Sequence, residues 1–244
     1  MLAVFSFVYW IFFVLTLPFL FAVALVLYVL TAPFDRRRVV LQLWSCAWAS
    51  FYVVVNPLWR ARVVGREKLP WNGAAVLVAN HLSMLDILVL YGLFRPFKWV
   101  SKAELFRVPF VGWNMWLNDC VPVWRGDRES VRRMMAHCRA HLARGAPVMI
   151  FPEGTRSQDG RLQAFKDGAF RLAVDANVPV IPIAVSGTSE ALPKHGLVLR
   201  QRMRAEVRVL DPIHPSAFDG PAALREAVRD AIAAALPPEH RPDP

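Results

Sequence analysis

Two long apolar runs open the chain, and from about Val63 they give way to short apolar runs separated by amphipathic stretches. The short runs Ala74–Asn80, Phe97–Ser101, Val121–Trp124, Pro147–Phe151, Val178–Val185 and Glu206–Leu210 read as strands, several of them apolar on both faces as in a covered sheet. Between them, Ser83–Phe94, Ser130–Leu142 and Ala164–Ala176 read as helices, and Pro221–Leu236 as a last one. In the middle helix Val131, Met134, Met135, Cys138 and Leu142 form a stripe at helical spacing. Strands alternating with helices predict an α/β fold, with a mixed, largely parallel central sheet flanked by helices. The organisation expected is an amino-terminal anchor over 1–60, one catalytic domain over 61–236 and a flexible tail over 237–244. No internal repeat interrupts it.

The two leading runs change the picture most. Met1 to Phe34 carries no Asp, Glu, Lys or Arg, and after Asp35-Arg36-Arg37-Arg38 a second uncharged run covers Val39 to Trp59. Each is long enough to cross a hydrocarbon core of about 30 Å. A cleaved signal peptide fits poorly, because no basic residue precedes the apolar core and that core is too long. The Arg36–Arg38 cluster predicts a cytoplasmic flank. The topology expected is one crossing by the first run, with the second interfacial or re-entrant. A hairpin kinked near Pro18 and confined to one leaflet is the rival. Trp44, Trp48, Tyr52 and Trp59 suit a membrane interface.

At 244 residues the chain can bury one sizeable core. Its formal charge of +10 points to anionic lipid headgroups, or to another acidic partner, rather than to nucleic acid, for which no reading motif is present. Cys46, Cys120 and Cys138 are isolated, with no paired spacing, which favours a reducing compartment. The expected location is therefore the inner (cytoplasmic) membrane, with the catalytic domain facing the cytoplasm.

Two stretches carry chemistry, each just after a predicted strand, where sites on such sheets gather. Asn80-His81-Leu82-Ser83-Met84-Leu85-Asp86 sets a histidine and a carboxylate five positions apart. On a continuous helix they would not share a face. With His81 in the turn and Asp86 in the first helical turn, Asp86 can hold one imidazole nitrogen and leave the other as a general base. Ser83 and Asp86 have the spacing of a capping box. The second stretch, Phe151-Pro152-Glu153-Gly154-Thr155-Arg156-Ser157, offers a cation in a tight turn for a phosphate.

These stretches resemble the first and third sequence blocks of the glycerolipid acyltransferase family. Val121-Pro122-Val123-Trp124-Arg125 is similar to its second block, and Val178–Val185 to its fourth; Ser101-Lys102-Ala103-Glu104-Leu105 matches the stretch between blocks. The resemblance covers roughly 63–212. It implies transfer of a fatty acyl group from a thioester to the sn-2 hydroxyl of 1-acyl-glycerol-3-phosphate, giving phosphatidic acid, with His81 as base and Asp86 orienting it. It also implies substrate binding by Lys102, Arg125, Glu153, Gly154, Thr155 and Arg156. No cofactor or metal is expected, acyl-coenzyme A or acyl carrier protein being a co-substrate, and membrane lipids and lysophosphatidic acid are the expected partners. The second block departs from the family, with Asn118-Asp119-Cys120 where a glycine is common and Trp124 before Arg125. Another lysolipid acceptor therefore stays open, as does a lipid-binding module without catalysis. His137 and His141 stand four apart on a predicted helix with no third ligand evident, so a solvated face is expected there.

Overall fold

The computed structural model describes residues 2–189, 191–192, 198–199 and 202–242. Its centre is a seven-stranded sheet: β1 (Trp59–Val64), β2 (Val76–Ala79), β3 (Lys98–Lys102), β4 (Val121–Val123), β5 (Val148–Ile150), β6 (Val180–Ser186) and β7 (Met203–Val209), in the order β1-β7-β6-β2-β5-β3-β4. All neighbours are parallel except β6 and β7. The central strand β2 is buried at every position, as its unbroken Val-Leu-Val-Ala run predicts. β1 has no counterpart in the sequence reading. Its Arg60, Ala61 and Arg62 are exposed, because an edge strand needs covering on one face only.

The helices are α1 (Leu2–Thr31), α2 (Val39–Val55), α3 (Leu85–Tyr91), α4 (Val111–Leu117), α5 (Arg128–Ala143), α6 (Gly168–Ala176) and α7 (Pro221–Ala235). Residues of α5, α6 and α7 form one core with one face of the sheet, including Cys138, Phe170 and Val228. On the other face Leu85, Val89 and Leu90 of α3 form a second core with Trp59, Leu77 and Met149. Asp127 caps α5, accepting from the N–H groups of Glu129 and Ser130 at 2.9 and 3.1 Å. The short α4 is a further element the hydrophobic pattern did not announce.

α1 is long and apolar enough to cross a membrane. It runs unbroken through Pro18, and the chain reverses at 32–38, not near the proline. Phe7, Val14, Leu15, Phe19, Val26 and Val29 on its outer side are exposed, an arrangement suited to an apolar solvent. Its other side rests on the α/β domain along much of its length. Ser6 Oγ accepts from the Leu199 N–H at 2.9 Å, Tyr9 meets Trp59 edge-on, and Phe21 packs on Phe110 and Trp113. The expected interfacial aromatics are therefore mostly internal: Trp48, Tyr52 and Trp59 are buried between the hairpin and the domain. Of the expected tail, residues to Pro242 are described, and among them His240 is buried. His240 accepts the Leu162 N–H at 2.9 Å through its carbonyl, and its Nδ1 lies 2.8 Å from the Gly160 carbonyl.

Candidate active site

The loops after β2 and β5, neighbours at the centre of the sheet, bring the two motif stretches together. Asn80 ends β2 and mimics a strand residue with its side chain, donating to the Val185 carbonyl at 2.9 Å and accepting from the Val185 N–H at 2.8 Å. That pair locks the turn to β6 and fixes where His81 leaves the sheet.

His81 Nδ1 lies 2.8 Å from Asp86 Oδ2. An ionised carboxylate only accepts, so Nδ1 carries the proton and Nε2 is the ring's basic nitrogen. The same Oδ2 accepts from the N–H groups of Leu82 and Ser83 at 2.7 and 2.9 Å, and Oδ1 accepts from the Thr188 hydroxyl at 2.5 Å. Asp86 is wholly buried, and these four bonds are what make a carboxylate tolerable there. Half of the expected capping box is present. Asp86 reaches back to the Ser83 N–H, while Ser83 Oγ accepts from Leu85, at 3.3 Å, and not from Asp86. Sequence reading missed Thr188, which is far from both motifs in the chain and enters only because it follows β6.

The imidazole stacks on Phe151, with ring centroids 4.0 Å apart and planes at 11°. Phe151 in turn lies 5.6 Å from Trp99. Glu153 is tied to backbone: its Oε1 accepts the His81 N–H at 2.7 Å and its Oε2 the Gln163 N–H at 3.4 Å, so its carboxylate holds the histidine loop. Burial first of all pushes its carboxyl up to about 7, against the relief given by those two N–H groups. Ser157 completes the clasp by donating its N–H to the His81 carbonyl at 2.8 Å.

Gly154 takes a φ of +73°, and a β-carbon there would sit 2.6 Å from Lys166 Nζ, so the turn requires glycine. Thr155 is exposed and Arg156 half-buried in the same loop. Lys102 ends β3, exposed and paired with Glu104 at 2.8 Å. Arg125 follows β4 and is exposed. Lys102 first, and Arg125 among the weaker causes, hold the Glu104 carboxyl below its usual range. The cations foreseen for a phosphate thus rim the carboxyl ends of β3, β4 and β5. The thiols are poor nucleophiles, since burial pushes Cys120 up to about 11 and Cys138 to about 12.

A cavity of about 370 Å³ runs between the α1–α2 hairpin and α3, lined by Phe13, Leu17, Trp48, Leu85, Leu88 and Trp99 among others. Its walls are almost wholly apolar, and Trp99 on its wall packs against Phe151, the ring on which His81 stacks. The site therefore combines a buried base, a rim of cations and an apolar slot.

The sequence model of the acyltransferase family matches residues 60–186. A 1-acyl-sn-glycerol-3-phosphate acyltransferase of Chlamydomonas reinhardtii is 40% identical over 235 residues, covering 93% of this chain and 68% of the algal one. A chloroplastic enzyme of the same name from Arabidopsis thaliana is 39% identical over 173 residues; they cover 70% of this chain but only 48% of the plant protein. The crystal structure of the 1-acyl-sn-glycerophosphate acyltransferase PlsC from Thermotoga maritima superposes with a TM-score of 0.76 over 96% of both chains, at 22% identity.

Proposed function

The chain belongs to the acyltransferase family, and on that premise we propose that it acylates the sn-2 hydroxyl of 1-acyl-glycerol-3-phosphate, forming phosphatidic acid. The observation that carries this reading is the His81–Asp86 pair, linked through Phe151 and Trp99 to the apolar cavity. A glycerol hydroxyl has a pKa far above neutrality, so it needs a base in contact as it attacks a thioester carbonyl. His81 Nε2 takes that proton. Asp86 fixes the tautomer and stabilises the imidazolium, and Thr188 holds Asp86. As the tetrahedral intermediate collapses, the proton passes from the imidazolium to the leaving thiolate. Glu153 acts through the backbone as a positioning residue.

Arg156 and Lys102 bind the phosphate, aided by Lys166 Nζ above Gly154 and by Arg125. The cavity takes an acyl chain, since a lining of aromatic and branched aliphatic side chains suits methylenes. Acyl-coenzyme A and acyl carrier protein both fit as donors. Contacts with the domain from Ser6 to Phe21, about 22 Å of helix at 1.5 Å per residue, favour a hairpin that enters the bilayer from the side the domain occupies. Its outward apolar face meets lipid on the cytoplasmic side of the inner membrane. A second reading, another lysolipid as acceptor, is favoured by the exposed Trp124 before Arg125, whose ring stacks under Arg107 at 5.2 Å.

Thiol release from acyl-coenzyme A and from acyl carrier protein, by purified protein in vesicles with a panel of lysolipids, tests both readings. Turnover with 1-acyl-glycerol-3-phosphate, lost in His81→Ala, is the expected result. Turnover only with another lysolipid replaces the acceptor, and none with any donor overturns the assignment.

A further inference from the structure

At the opposite end of the sheet from His81, before β4 and β5, lies a second cluster of histidines and a carboxylate. His137 and His141, one helical turn apart on α5, stack with ring centroids 4.7 Å apart. The third group that the sequence did not reveal is Asp119, in the turn between α4 and β4. His137 Nε2 is 3.2 Å from Asp119 Oδ1, and His141 Nε2 is 3.8 Å from Oδ2. One ligand atom from each of the three lies within 4.8 Å of the others. Asp119 reaches this position through a left-handed backbone, φ 57°, in the turn whose expected glycine is absent.

We propose that Asp119, His137 and His141 form a binding site for a divalent transition metal, zinc being the best fit. Two imidazole nitrogens and one carboxylate oxygen are a donor set that zinc takes in tetrahedral sites with a water as fourth ligand. Ligand atoms about 2 Å from zinc stand roughly 3.3 Å from one another. The observed separations need only small side-chain rotations, which the half-exposed Asp119 and His137 can make. His141 is buried and fixed; its Nε2–H now donates to the Asp119 carbonyl at 3.0 Å, as His137 Nε2–H does to Asp119 Oδ1, and coordination requires the other tautomer of both. The charges that face the cluster are Arg144, whose Nη1 is 3.9 Å from Asp119 Oδ2, and buried Lys98. Lys98 points its ammonium at the Asn118 carbonyl, 2.6 Å away. These cations weaken the site without blocking the ligand atoms. The role is structural, because the metal would pin the Asn118–Cys120 turn to α5 at the end of the sheet remote from the base.

The test is zinc bound per chain after chelator treatment of the full-length protein in detergent, with cobalt as a spectroscopic probe of coordination. About one ion per chain is expected, with a visible cobalt band of four-coordinate type and a raised Tm on zinc addition. His137→Ala and Asp119→Asn should each weaken binding at least tenfold and remove the Tm shift. Both positions are half-exposed, so both variants should fold, which near-ultraviolet circular dichroism checks. Binding no stronger than in His137→Ala, or unchanged by both substitutions, overturns the proposal.

Discussion

The two ends of the sheet each hold histidine beside aspartate, and they use it in opposite ways. At the carboxyl end the imidazole meets Asp86 through Nδ1, which sends Nε2 away from the carboxylate. At the other end His137 and His141 both turn Nε2 toward Asp119, so their nitrogens converge. Burial separates them further. Asp86 is wholly enclosed and saturated by four donors, whereas the Asp119 side chain is 40% exposed. His137 first, against the cost of burial, holds the Asp119 carboxyl down to about 2, while burial lowers His141 to about 4 and keeps it neutral. A diverging pair leaves one ring nitrogen turned away from its carboxylate; a converging one gathers its nitrogens around it. Residue type alone would not separate the two.

The sharpest way to break this contrast is to truncate one histidine from each end. His81→Ala should lower kcat by about 10³-fold or more while the fold survives, since general base catalysis is worth about 10² to 10⁴. His137→Ala should leave acyl transfer within about twofold. Equal losses in steady-state assays would erase the distinction. Next in size, Asp86→Asn should reduce kcat by about 10²- to 10⁴-fold, through the wrong tautomer. Thr188→Val should cost about tenfold, as an orphaned buried acceptor does. An Asp86→Asn enzyme with an unchanged pH profile would show that the carboxylate does not govern the imidazole.

Arg156→Ala should act on binding, raising the acceptor KM about tenfold or more with a smaller change in kcat, as loss of a charge-assisted phosphate contact predicts. An unchanged KM would remove the arginine from the phosphate site. The smallest effect concerns Glu153. Its folded carboxyl is raised to about 7 from an ordinary 4.5, so its contribution to stability is fully present below pH 4.5 and is lost as pH rises through 7. Glu153→Gln should remove that part of the pH dependence, making Tm flatter between pH 5 and pH 8. A variant whose Tm falls with pH as steeply as wild type would mean the carboxyl is not the group responsible.

Much of the fold was legible because the strands at the centre of a covered sheet are apolar on both faces. β2 and β6 stand out in Val76–Ala79 and Val180–Ser186 for that reason. β1 was hidden, since Arg60 and Arg62 read as loop until a sheet edge explains them. α4 was hidden too: seven residues are too few to establish a helical period. In the site, the turn-then-helix placement of His81 and Asp86 could be worked out from their spacing. The orientation of Glu153 could not, because a carboxylate after a strand can face a ligand or a backbone equally well.

By itself the sequence determined the layered α/β class, the two leading apolar segments and the pairing of His81 with Asp86, all of which rest on local patterning and on residues five or fewer positions apart. Only the tertiary structure decided the rest. It brought Thr188 to Asp86 across 102 positions and Glu153 to the His81 amide across 72. It also laid α1 along the domain and turned Asp119 toward two histidines. Each of these depends on the order of strands in the sheet and on the turns between them. Packing of distant segments sets that order, and no local pattern encodes it.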